Sequence, residues 1–387
     1  MAAVSTGPTL SPHPHPHPPR TRTDGPSPAL LALGVFAAVR GAGVLIITAG
    51  AWWAGRDPAR VLGGSWDSVW YLGIAAHGYG RTQMWADGSI QSDYAFFPLY
   101  PALVRLAGGG ALAALAVAWT AAAGAALGVY RVGERLLGAR GGVLLVALWA
   151  VLPHAVVLSA GYTEALLAAL AAWALYAVLR ERWLWATALA VLAGLTRPTG
   201  IAVAAAVSLT ALHALAVRGR RAPEVWAAAL LAPAGWAAYV LAVGARTGHP
   251  VDGYFTVQRR WGSRFDFGVG TLRDAEKVLT GGPVPFATSF TVAVLVVAAL
   301  LAVPLLLDRA PLALLAYTGV LMLITYGGGG FFESKPRFLL PAFPLLLVPA
   351  AVMAKARPRT AVVVTAGLAG LSYGYGVYLL LVARVPL

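Results

Sequence analysis

The sequence predicts an all-α, polytopic membrane protein, and three observations carry that prediction. Of 387 residues, 59% are hydrophobic and 11% are charged, with a mean hydropathy of +0.72; soluble domains run near about 45–50% apolar and about 25% charged. Runs approaching the roughly 20 apolar residues that cross a bilayer recur along the chain. The arginines stand mostly in short linkers between those runs, where anionic headgroups take them. The net charge of +14 is therefore no nucleic-acid signal, and no nucleic-acid partner is expected. The chain has no cysteine, which excludes disulfides, Cys-ligated zinc and thiolate chemistry. Its wealth of Ala, Gly and Arg points to a GC-rich bacterial genome, hence to a bacterial plasma membrane surrounded by lipid partners.

Taken in order, residues 1–28 read as a disordered cytoplasmic tail. The run Pro12–Pro19 cannot make a helix or a packed core, and His13, His15 and His17 are at most a weak metal site. Arg20 and Arg22 before a first span at about 30–51 put the N-terminus inside. Residues 29–387 form one transmembrane domain with large extracytoplasmic loops at about 55–95 and 245–285. Within the first loop, Ser65–Tyr79 reads as an interfacial helix with Trp66, Trp70 and Ile74 on one face and Asp67 and Tyr71 on the next. The Pro-marked stretch 96–108 is a broken or re-entrant segment, or a further crossing.

Ten more spans follow, at about 110–130, 142–159, 164–179, 183–196, 199–217, 225–244, 286–307, 311–326, 338–353 and 361–382. The total is about eleven, within a range of 10–13. Arg131, Arg135, Arg140, Arg180, Arg182, Arg218, Arg220, Arg221, Arg309 and Lys355–Arg359 share the inner side. Both large loops, the turn before Glu164 and the stretch Gly327–Arg337 then meet on the outer side. Most polar groups not explained as inner anchors converge there, which points to an outward-facing active site.

The chemistry-bearing residues are few. Asp67, Asp87 and Asp93 are three of only fifteen acidic residues, all in the first outer loop. A carboxylate among Trp66, Trp70 and Tyr71 in a membrane protein is a functional candidate by default, although aromatic residues also gather at membrane surfaces without catalysing anything. Asp67 could deprotonate an acceptor hydroxyl, or hold a divalent metal such as Mg or Mn through oxygen. Glu164, after Tyr162 and Thr163, is a second candidate, or a helix-start acid favoured by the dipole; Asp93 is a third. Lys335 and Arg337 precede a span on the outer side, where topology demands no cation, and a guanidinium there suits a phosphate. His77 could orient an acceptor, and Gln258 could contact one from the second loop. Arg197 is assigned near the inner face as an anchor, and Arg40 to a span end where its head snorkels. No H-E-x-x-H, Walker-type or dinucleotide glycine pattern is present.

Several of these stretches together form a pattern. WDSVWYLGIAAHGY at Trp66–Tyr79 followed by YAFFPLYPALVR at Tyr94–Arg105 resembles the family of the GPI mannosyltransferase PIG-V and its bacterial relatives. YTEALLA at Tyr162–Ala168, LTRPTG at Leu195–Gly200 and PRFLLPAFP at Pro336–Pro344 are similar to its later motifs, in the same order, over about residues 30–350. The resemblance implies a C-type glycosyltransferase fold. It also implies a polyprenyl- or dolichyl-phosphate sugar donor used on the non-cytoplasmic face, with mannose as the first candidate. The family's first-loop aspartate corresponds to Asp67, and Trp66, Tyr71 and Tyr100 stand within the motifs as candidate substrate contacts. A bacterial composition removes the GPI anchor as acceptor, leaving a glycolipid, an envelope glycan or a protein. One displacement by an acceptor hydroxyl would invert the sugar. The competing class is a transporter or a flippase of a lipid-linked substrate, which would place polar groups midway along several spans in related halves.

Overall fold

The computed structural model describes residues 27–84 and 90–383. The readings of the tail before Ser27, its histidines included, and of Asp87 lie outside those residues. Among the described residues, six helices are long and apolar enough to cross a membrane: Pro28–Trp53, Gly110–Ala150, Pro198–Ala216, Pro223–Arg246, Phe286–Leu307 and Pro358–Val382. A bent pair, Phe332–Leu339 with Phe343–Lys355 at 71°, counts as a seventh. Glu164–Leu179, Trp183–Gly194 and Leu312–Gly327 are shorter apolar helices. Length and composition thus mark six or seven spans where the sequence suggests about eleven. Part of the difference is Gly110–Ala150, two helices joined at Gly138, whose φ of 77° is open to glycine. The halves fold against each other so closely that a Cβ on Gly133 would lie 2.8 Å from Gly142 Cα.

Alanine supplies the seams. Ala122, Ala125, Ala126, Ala168, Ala171, Ala172, Ala186, Ala190 and Ala206 are all buried, and small side chains let membrane helices approach closely. Phe286–Leu307 instead turns Val296, Val297, Leu300, Val303 and Leu306 outward and is only 22% buried at a mean hydropathy of 2.9, as a lipid-facing helix should be.

Two expectations are corrected here. The stretch 96–108 is no further crossing: its helix, Leu99–Leu106, has eight residues and is about 12 Å long, far short of a bilayer core. Arg40 does not snorkel. It sits midway along Pro28–Trp53, buried, with its guanidinium on Ser159 Oγ at 2.9 and 3.1 Å and on the Ala150 carbonyl at 3.4 Å. It therefore pins the first helix to the irregular segment that leads into Glu164.

The two large loops and the stretch Gly327–Arg337 gather at one end. Tyr239 Oη and Tyr79 Oη donate to the Phe96 carbonyl at 2.6 and 2.8 Å, and Trp261 Nε1 donates to the Ser92 carbonyl at 2.9 Å. Arg264–Phe265 pairs antiparallel with Gly328–Gly329. Around these bonds Trp70, Tyr71, Phe96, Phe97, Tyr100, Tyr239 and Tyr254 form a second core, separate from the alanine-rich bundle. Edge-to-face contacts such as Tyr71–Phe96 and Tyr71–Tyr100, with centroids 5.1 and 5.2 Å apart, add to its burial energy.

Candidate active site

Asp67 opens the helix Asp67–His77, and the residue before it is strained. Trp66 has φ 53° and ψ −122°, a conformation that a bulky side chain holds at a cost of roughly 1–3 kcal/mol. The turn is tied down from both sides: Ser68 Oγ donates to the Gly161 carbonyl at 2.8 Å, and Tyr162 Oη donates to the Ser65 carbonyl at 3.3 Å. Phe331, just ahead of the segment that carries Arg337, is a second aromatic residue held at positive φ, 47°. Both chain entries to the site therefore depart from relaxed backbone.

Four charged side chains meet where these turns converge. Arg337 Nη1 lies 2.8 Å from Asp67 Oδ2, and Arg337 Nε lies 3.1 Å from Glu164 Oε1. Arg197 Nη1 contacts the same Glu164 oxygen. The guanidinium of Arg337 stands 5.3 Å from the ring centres of both Tyr162 and Phe338, and that of Arg197 stands 5.5 Å from Phe338. Two carboxylates balance two guanidiniums, which is what makes a buried cluster tolerable. The nitrogens that touch the carboxylates are not aligned as hydrogen-bond donors, so the contacts are ion pairs. Exposure separates the two acids: the Asp67 side chain is 31% exposed and that of Glu164 only 1%. Glu164 holds the two arginines, and Asp67 is the carboxylate open to solvent.

Arg197 is the residue that sequence reasoning missed. The helix Trp183–Gly194 runs back from Arg182 toward the Glu164 end, so the residues after it belong to the site and not to the inner anchors. Counting crossings from Glu164 through Arg182 would have given this. The turn that presents Arg197 needs Gly200, where a Cβ would stand 2.0 Å from the Ala193 carbonyl oxygen.

The other candidates have separate places. Trp66 is not on the helical face of Trp70 and Ile74: it lies outside the helix and is exposed, while those two are buried. Tyr71 is buried beside the cluster with its hydroxyl 3.4 Å from Thr163 Oγ1; burial first, and the Asp67 charge second, raise its phenol far above the usual value, so it stays a donor. His77 is exposed at the far end of the eleven-residue helix, about 15 Å along the axis from Asp67. Tyr100 is fully buried and donates to the Ala114 carbonyl at 2.9 Å.

Asp93 is also buried, and it accepts the backbone N–H groups of Gly80 and Arg81 at 2.9–3.1 Å, the bonding of a loop staple. Gln258 donates to the Ala95 carbonyl at 3.2 Å and to Tyr254 Oη at 2.6 Å, joining the two large loops. Lys335 Nζ donates to the Thr325 and Gly328 carbonyls, both at 2.5 Å, at the end of Leu312–Gly327. The structure thus brings together Asp67, Glu164 and Arg337, with Tyr71 alongside, and gives Asp93, Tyr100, Gln258 and Lys335 backbone partners elsewhere.

Mg or Mn would need several oxygen ligands converging on one point. Among the described residues no group of three or more His, Asp or Glu side chains converges in that way, and both carboxylates of the cluster face guanidiniums.

No family model matches the chain, and no curated protein matches it in sequence. Among solved structures it is similar to the crystal structure of ArnT from Cupriavidus metallidurans bound to undecaprenyl phosphate, with a TM-score of 0.53 at 15% identity. The likeness shows a shared fold. The match covers 88% of this chain and 63% of the ArnT chain, so this protein spans less than two thirds of that structure's length. At this identity the likeness concerns the fold, an all-α multi-pass membrane protein.

Proposed function

We propose that this protein is a membrane glycosyltransferase that moves a sugar from a polyprenyl-phosphate carrier to an acceptor hydroxyl. The observation that carries the reading is the charge cluster at Asp67: one reachable carboxylate, held by a guanidinium that is itself fixed by a buried glutamate. The shared fold with a protein crystallised on undecaprenyl phosphate supports a polyprenyl-phosphate donor. The motifs around Asp67, Glu164, Arg197 and Arg337 favour a PIG-V-like enzyme, with mannose as the sugar. A glycolipid, an envelope glycan or a protein is the acceptor, reached on the outer face of a bacterial plasma membrane with the N-terminus inside.

In this reading Asp67 accepts the proton of the acceptor hydroxyl. The hydroxyl oxygen attacks the anomeric carbon, the bond from that carbon to the carrier phosphate breaks, and the phosphate leaves with the electron pair. A phosphate leaving group needs no acid, whereas the neutral alcohol gains from a base. A single displacement inverts the anomeric centre. Arg337 holds Asp67 in register through its ion pair, and its remaining N–H groups suit the departing phosphate. Glu164 and Arg197 are positioning residues that fix Arg337.

The test is to supply radiolabelled polyprenyl-phosphate mannose to membranes containing the protein. Transfer of label to a lipid or protein fraction supports the reading; carrier-independent solute uptake without transfer would support transport and sink it.

A further inference from the structure

A second charged site lies outside the Asp67 cluster, in the loop between the helices Ala234–Arg246 and Phe286–Leu307. A cavity of about 670 Å³ is lined there by Arg264, Asp266, Arg273, Asp274 and Lys277 over a floor that includes Gly329 and Gly330. Its acids are already engaged. Asp266 accepts the N–H groups of Gly268 and Gly270 at 3.1 and 3.0 Å, and Asp274 pairs with Lys277 at 2.6 Å. Among the described residues, no carboxylate comes within ion-pair distance of Arg264 or Arg273. The cavity therefore offers two guanidiniums without a direct ion-pair partner among the described residues, and three cations against two acids in its lining, which suits an oxyanion with a planar set of acceptors.

The helix Val269–Leu279 forms one wall and divides into three faces. Thr271 turns inward, is buried and donates to the Tyr326 carbonyl at 2.7 Å. Gly270, Arg273, Asp274 and Lys277 share the stripe that lines the cavity. Val269, Leu272 and Leu279 form the neighbouring stripe, all exposed, with the exposed Glu276 on the same stripe; Val269 also edges the cavity, and Phe265 and Phe267 just before the helix are exposed as well. A strongly amphipathic helix with cations beside its apolar stripe lies in a bilayer surface. Leu279 is also followed within a few residues by the lipid-facing helix Phe286–Leu307, so the apolar stripe is continuous with a membrane-embedded element.

We propose that this cavity holds the phosphate of an anionic lipid headgroup, with Arg264 and Arg273 as its donors and the Val269–Leu272–Leu279 stripe seated in the acyl boundary beside it. The site is independent of sugar transfer. It would anchor the loop over the membrane surface and hold one structural lipid next to the Gly328–Gly329 strand that leads to Arg337.

The test uses the purified full chain and two readouts that do not involve turnover. Native mass spectrometry during titration with phosphatidylglycerol should record one lipid bound more tightly than phosphatidylcholine. The double variant Arg264→Gln/Arg273→Gln should weaken that lipid by on the order of tenfold and leave phosphatidylcholine unchanged. Inorganic phosphate in millimolar excess should not displace it. In a chain without native cysteine, Leu272→Cys carrying an environment-sensitive dye should be quenched in liposomes by shallow nitroxide lipids and protected from aqueous iodide. Equal phosphatidylglycerol affinity in the double variant would overturn the proposal. So would displacement by inorganic phosphate, which would mark a soluble-anion site, or free access of iodide to position 272.

Discussion

Two glutamates flank the same helix and behave in opposite ways. Glu164 is the first residue of Glu164–Leu179, and Glu181 follows its end, about 24 Å away along sixteen residues. Each meets two arginines: Glu164 meets Arg197 and Arg337, and Glu181 meets Arg218 and Arg220. The first set is 1%, 8% and 8% exposed, the second 39%, 60% and 50%. Identical residue types therefore make a closed, pre-set charge cluster at one end and a solvated anchor at the other. Burial distinguishes them, because water already satisfies the second set and nothing but protein can satisfy the first.

The largest expected difference is in stability. Glu164→Ala leaves the buried Arg197 without a counter-ion and Arg337 with Asp67 alone, and should cost about 3–5 kcal/mol. Glu181→Ala removes an exposed pair and should cost less than about 1 kcal/mol. Thermal melts in one detergent check this, and equal shifts would erase the contrast between the two ends. Next in size is Arg197. Arg197→Ala should lower both stability and turnover, whereas Arg197→Lys keeps the charge and should restore the melting temperature more fully than the turnover, since an ammonium lacks the planar fork that shares Glu164 with Arg337. A lysine variant with full activity would reduce Arg197 to a bare charge.

Asp93 extends the comparison to a buried acid with no cation beside it among the described residues. Its oxygens serve the Gly80 and Arg81 amides, so Asp93→Asn should cost about 1–3 kcal/mol and leave turnover per folded molecule unchanged. A folded Asp93→Asn protein without activity would move the chemistry to that loop. The smallest effects belong to the surface. Single cysteines at His77 and Arg218, both exposed, should fold normally. An impermeant thiol reagent applied to intact cells should label His77→Cys and spare Arg218→Cys. The reverse pattern would invert the proposed orientation.

The membrane fold was legible because lipid demands long apolar helices, and composition reports that directly. The aspartate at the turn, the glutamate at a helix start and the late arginine were legible because each stood in a motif on the predicted outer side. Arg197 was legible from the alternation of crossings after Glu164, but the Pro-marked end of the twelve-residue Trp183–Gly194 reads as an inner break. Arg40 stands midway along the span expected at about 30–51, so a span-end role did not follow from its position, while its partner Ser159 is set by tertiary packing. Asp93 and Lys335 stood in promising stretches, yet their charges go to backbone amides and carbonyls, and those partners are set by tertiary packing.

The central claim is that Asp67 is the base, and turnover of polyprenyl-phosphate mannose by matched variants tests it most directly. At equal membrane abundance, Asp67→Asn should lose on the order of 100- to 10,000-fold, while Asp93→Asn stays near wild type. Retention of more than about a tenth of wild-type turnover by Asp67→Asn, with Asp93→Asn or Glu164→Gln folded and inactive, would contradict the assignment and pass the role to the inactive residue.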